Sequence, residues 1–117
     1  MTVLNRGNAP HYRWGERCEG WRLTNRPEQS IILERMPPGT SETRHLHQHS
    51  RQLFFILKGV ARIEVEGEQH RLAAENALEI PPGAAHQIFN DGNEDLEFLL
   101  VSQPGTVGDR VETPECG

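Results

Sequence analysis

Residues 39–59 read G-T-S-E-T-R-H-L-H-Q-H-S-R-Q-L-F-F-I-L-K-G, and the rest of the chain is organised around them. His45 and His47 stand two apart, and Gln52 follows five residues later at the head of an apolar run. In an extended segment, side chains at i and i+2 point to one side. The pair therefore presents two imidazoles together, donors that suit Fe, Ni, Cu and Zn. A second stretch answers the first. In Pro81-Pro82-Gly83-Ala84-Ala85-His86-Gln87-Ile88-Phe89-Asn90, one more histidine begins a strand after a rigid turn. Proline fixes φ there and glycine permits the tight bend, so the imidazole is held in advance of any ligand. His45, His47 and His86 are expected to converge on one metal. His49 continues the series but is expected past the strand end, turned to solvent. Glu42 and Arg44 flank the site with undecided side-chain direction.

Working outward, the other segments read as strands. Cys18–Thr24, Ser30–Met36, Arg51–Lys58, Glu68–Leu72, Ala77–Ile80, His86–Phe89 and Leu96–Val101 are short, apolar or alternating, and bounded by turn residues. Val60–Glu66 alternates strictly, with Ala61, Ile63 and Val65 on one face. Glu66-Gly67 reads as a tight hairpin turn. Leu72–Asn76 hints at helix but is too short to matter. Strands at such spacing imply an all-β sandwich or barrel, and the lack of βα alternation excludes a dinucleotide-binding fold.

A chain of 117 residues is expected to form one domain. We read a barrel core over about 28–102, an N-terminal arm over 1–17 whose Tyr12 and Trp14 cover the barrel, and a loose polar tail over 103–117. The net charge of -5 argues against a nucleic-acid binder, which needs a basic face. Neither a secretory leader nor a membrane span is expected from the apolar runs. Cys18 and Cys116 lie far apart and read as free thiols, consistent with a cytoplasmic location. Leu96–Val101 and the Arg51–Lys58 run are apolar on both faces, which predicts a second covering layer and suggests a homodimer.

The two stretches resemble the two motifs of the cupins. Gly39, His45, His47 and Gly59 fall on the first, G-x5-H-x-H-x4-E-x6-G, with Gln52 in place of the glutamate. Pro81, Gly83, His86 and Asn90 fall on the second, G-x5-P-x-G-x2-H-x3-N, with Glu75 in place of the leading glycine. The chain is similar to small single-domain cupins of the conserved-barrel type. That resemblance implies a double-stranded β-helix, or jelly-roll barrel, dimeric as a rule, with one divalent metal (Fe, Mn, Ni or Zn) in its mouth. It implies His45, His47 and His86 as ligands and puts Gln52 where the carboxylate ligand stands. A carboxamide neutralises no charge on the ion, so such a centre should favour chelating anions. The expected function is a metal-dependent enzyme, dioxygenase-like, acting on a small chelating organic anion. The alternatives are a non-catalytic small-molecule-binding or sensor barrel, and a cupin isomerase.

Overall fold

The computed structural model describes residues 1–116. Eleven strands run in chain order: β1 His11–Trp14, β2 Cys18–Arg26, β3 Gln29–Met36, β4 His45–His47, β5 Arg51–Lys58, β6 Ala61–Val65, β7 Glu68–Leu72, β8 Ala77–Ile80, β9 His86–Phe89, β10 Leu96–Gln103 and β11 Arg110–Glu112. They form two antiparallel sheets, a six-stranded one ordered β1-β2-β3-β10-β5-β8 and a five-stranded one ordered β11-β4-β9-β6-β7. No helix is present among the described residues. Leu72–Asn76, where helix was hinted, is the end of β7 and a turn.

The core follows from period two. β3 alternates without a break, with Ser30, Ile32, Glu34 and Met36 inward, and β5 does the same with Gln52, Phe54 and Ile56. Phe54, Ile56, Leu96, Phe98 and Met36 from one sheet meet Ala61, Ile63, Leu72 and Ile88 from the other. Between β6 and β7 the turn residues Glu66 and Gly67 have φ of 50° and 87°. Both central residues lie at positive φ, the geometry whose twist matches that of the flanking strands.

The chain ends differ from the sequence expectation. The segment read as an arm contains β1, which pairs with β2 from His11↔Trp21 to Trp14↔Cys18. Tyr12 lies opposite Gly20, and a Cβ at Gly20 would stand 2.3 Å from the tyrosine ring. Glycine there lets the ring lie flat across β2. The segment read as a loose tail contains β11, which pairs with β4. Its side chains are exposed and carry no apolar pattern, so periodicity could not reveal it. Backbone hydrogen bonds hold it in place, among them Gln48 N–H to Asp109 O at 3.1 Å and Thr113 N–H to Arg44 O at 2.9 Å.

Candidate metal centre

His45 and His86 are direct register partners across β4 and β9. Their ring centroids lie 4.6 Å apart, and His47 lies 4.9 Å from His45 and 6.2 Å from His86. All three rings are buried. His45 Nδ1 contacts Thr43 O at 2.9 Å, and His86 Nδ1 contacts Ala84 O at 3.0 Å. A carbonyl only accepts, so the proton of each neutral ring sits on Nδ1 and the Nε2 lone pair is free. This outer-shell arrangement orients metal-binding histidines generally.

A carboxylate completes the cluster. Donor atoms of Glu42, His45 and His86 all lie within 4.8 Å of one another. The Glu42 backbone is placed by its N–H bond to Ile88 O at 3.1 Å and by the Ser41↔Phe89 bridge. Glu42 Oε1 stands 3.9 Å from His45 Nδ1. His47 is outside this closest group; its Nδ1 lies 3.9 Å from Asp109 Oδ2. Gln52 is buried on β5, where its amide NH2 donates to Ser102 Oγ at 2.9 Å.

The electrostatics follow from burial. Loss of hydration pushes His45 down to about 3 and His47 down to about 4, and it lowers His86 as well. Neighbouring imidazoles and the guanidinium of Arg110 press in the same direction. All three rings are therefore neutral at pH 7, the state that binds metal. Glu42 is pushed up to about 8 by burial and by the charge of Glu34, which burial itself raises to about 7. Tyr12 O–H donates to Glu34 Oε2 at 3.2 Å. Among the described residues five side-chain atoms are buried with no hydrogen-bond partner: Ser30 Oγ on β3, and Glu42 Oε1, His47 Nδ1, Gln52 Oε1 and His86 Nε2. Buried polar atoms are nearly always satisfied. Two of these orphans, on Glu42 and His86, belong to the group of donors within 4.8 Å of one another, and such a nitrogen and oxygen set fits a divalent transition metal.

Among the flanking residues, Glu42 joins the histidines and Arg44 does not. Arg44 turns to Glu64 on β6, donating from Nε at 2.7 Å and from Nη2 at 3.1 Å. His49 is solvent-exposed, as expected, but its ring lies 2.8 Å from Asp109 Oδ1. Two groups supplied by the tail escaped the sequence reading. Asp109 accepts from the amides of His49 and Ser50, the latter at 2.8 Å, and so fixes the turn between β4 and β5. Arg110 is the register partner of His47 at the rim. No local motif announced either one.

The family model for the cupin domain, Cupin_2, matches residues 32–102. This chain is a cupin. Among its relatives, the cupin is 34% identical to the oxalate-binding protein of Thermotoga maritima over 57% of this chain and 55% of that one. It is 36% identical to the tetracenomycin polyketide synthase protein TcmJ of Streptomyces glaucescens over 59% and 46% of the two chains. The cupin thus spans about half the length of these curated relatives. The crystal structure of a predicted oxalate decarboxylase from Thermotoga maritima superposes with a TM-score of 0.81 at 24% identity, covering 89% of this chain and all of that one. That likeness establishes the double-stranded β-helix fold.

Proposed function

We propose that this cupin holds one divalent transition metal in its barrel and acts, in dioxygenase-like chemistry, on a small chelating organic anion. The observation that carries the reading is the convergence of Glu42 with His45 and His86. Two imidazoles and one carboxylate are the donor set of non-haem iron(II) oxygenases. His47 and Gln52 would complete the shell. Glu42 then supplies the negative charge that a glutamate at position 52 would have brought. When bound, the metal would act as a Lewis acid and, as iron, would activate dioxygen.

The chain's own residues do the rest. Thr43 O and Ala84 O orient the two imidazoles. Phe54 packs edge-on to His86 with centroids 6.0 Å apart, giving the site an apolar floor that excludes water. Arg110 brings positive charge to the rim beside His47. The oxalate-binding relative names a small chelating dianion, the ligand class that such a site suits.

We further propose a homodimer in the cytoplasm. The outer face of the six-stranded sheet joins Ile31, Leu33, Leu53, Phe55, Leu99 and Val101 in adjacent register, all half-buried in the single chain. Both cysteines are free, as in reducing compartments. Light scattering should give twice the chain mass of 13.3 kDa; a mass of 13.3 kDa would rule the dimer out.

The function is tested by anaerobic loading with iron(II), followed by dioxygen uptake with a panel of 1,3-dicarbonyls and dicarboxylates. Uptake with one of them is expected. Thermal stabilisation by these ligands without turnover, with iron, manganese, nickel and zinc alike, would instead identify a binding barrel.

A further inference from the structure

We infer that the cleft between the β2–β3 turn and the segment after β10 is an oxyanion subsite. It would take a carboxylate or phosphate group of the same ligand whose other end reaches the metal. The inference rests on the proposed metal reading for that second contact.

The cleft has a volume of about 460 Å³ and is lined by Arg22, Asn25, Arg26, Ser30 and Thr106, among others. A register shift in β2 builds it. Arg22 pairs with Ile32 and Thr24 with Ile31, so Leu23 is an extra residue. Arg22 and Asn25 are three apart and would otherwise face opposite ways. The bulge sets both on the inward face, opposite Ile32 and Ser30. Gly105 N–H bonds Pro27 O at 2.9 Å and closes the far wall.

Three observations point to an anion. Ser30 lines the cleft at 4% exposure, and its Oγ is buried with no hydrogen-bond partner. Arg22 and Arg26 have no carboxylate within ion-pair reach among the described residues. Arg13, Arg17 and Arg71 are likewise unpaired, but among the described residues only Arg22 and Arg26 line a cleft together with a buried, unpartnered hydroxyl. Arg22 is held, with its guanidinium 4.6 Å over the Tyr12 ring. A guanidinium so stacked keeps its N–H edge for an oxyanion.

One inward row of the six-stranded sheet links the cleft to Gln52, the residue at the cupin carboxylate position. Ser30 is the register partner of Ser102, and Ser102 is the partner of Gln52, whose NH2 it accepts. A ligand lying along this row meets Arg22 and Ser30 at one end and the histidine cluster at the other. A ligand that meets both ends has to cross from β5 to β2, which selects an acid with polar groups at opposite ends of the molecule.

The test is calorimetric titration of malonate and of inorganic phosphate into metal-free and zinc-loaded protein. Wild type is compared with the double variant Arg22→Gln/Arg26→Gln and with Arg22→Lys, and the metal content and melting temperature of each are recorded. At least one probe should bind wild type, with the double variant about tenfold or more weaker and Arg22→Lys between the two. Metal content should not change. Preference for malonate would assign the subsite to carboxylate, and preference for phosphate would assign it to phosphate. Failure of both probes to bind wild type, or equal affinity in the double variant, would overturn the inference. Arginine-dependent binding in a protein that takes up no zinc would leave the subsite standing and remove the metal reading. Stoichiometric zinc with inert arginines would do the reverse.

Discussion

His45 and His86 face each other across β4 and β9, and each ties its Nδ1 to the carbonyl two residues upstream, Thr43 and Ala84. The two rings are thus oriented by the same local device from opposite strands. Each leaves Nε2 bare, and the His86 Nε2 is buried without a partner. A pair arranged this way is preorganised for a shared ligand. Glu42 enters the same space from the loop before β4.

The buried titratable groups predict how the metal-free protein responds to pH. His45 and His47, lowered to about 3 and about 4, bind fewer protons folded than unfolded below pH 6.5. Their contribution is complete above 6.5 and is lost as pH falls towards 4. Glu34 and Glu42, raised to about 7 and about 8 from 4.5, bind more protons folded than unfolded. Their contribution is complete below 4.5 and is lost as pH rises through 7 and 8. Between 4.5 and 6.5 the two sets oppose each other, and above 6.5 only the carboxylates act. Urea melts with chelator present should lose about 2 kcal/mol from pH 6.5 to 8.5. Glu42→Gln should flatten the curve. Stability rising through that range would contradict these burials.

The Arg44–Glu64 pair, next to His45 and close enough to His86 to act on its charge, predicts a large structural cost. Glu64 is 1% exposed and also accepts from the Gly67 amide at 2.6 Å. Glu64→Ala strands a mostly buried guanidinium and should cost about 3 kcal/mol in urea denaturation. Glu79→Ala, which removes an exposed partner 4.0 Å from Arg51, should leave the midpoint unchanged. Equal effects from the two changes would refute the assignment.

Glu75 stands where the second cupin motif has its leading glycine, and it adopts φ of 68°. Its N–H bonds Ile56 O at 2.7 Å, which holds the backbone in this left-handed conformation. Glu75→Gly should remove the Cβ strain and stabilise the protein by about 1 kcal/mol. Calorimetric melting would show this as a higher transition temperature, and an unchanged or lower one would count against strain at this turn.

Gln52 offers a gain-of-function test. Its Oε1 is buried and unpartnered while its NH2 donates to Ser102 Oγ. In Gln52→Glu the serine hydroxyl can donate instead, and the new carboxylate adds charge for the cation. Metal should resist removal by EDTA longer than in wild type. Identical loss curves would mean that the side chain at position 52 does not face the metal.

Much of this was legible in the sequence because period two is a strong signal wherever one face is buried. Strict alternation in Val60–Glu66 declared the buried Ala61 and Ile63, whereas Ser30–Met36 and Arg51–Lys58 carry apolar residues on both faces and did not declare which face points inward. The histidines were legible because strand parity and a Pro/Gly turn fix directions locally. Glu42 was not, because residues 41–44 lie outside regular pairing and parity fails there. Asp109 and Arg110 were hidden for a different reason. β11 has three exposed residues and is held by backbone bonds to β4, and such bonds leave no mark on side-chain pattern. Arg22 needed the β2 bulge to be seen, since only the pairing register reveals an extra residue.

The central claim is that Glu42, His45 and His86 hold a metal, and elemental analysis tests it most directly. The protein should be purified without chelator or affinity nickel, alongside Glu42→Gln, His45→Ala, His47→Ala and His86→Ala, with folding checked by circular dichroism. The account predicts near-stoichiometric iron, manganese, nickel or zinc in wild type, lost in the Glu42, His45 and His86 variants and weakened in His47→Ala. Folded wild type that stays metal-free after reloading, or Glu42→Gln that retains its full complement, would contradict it.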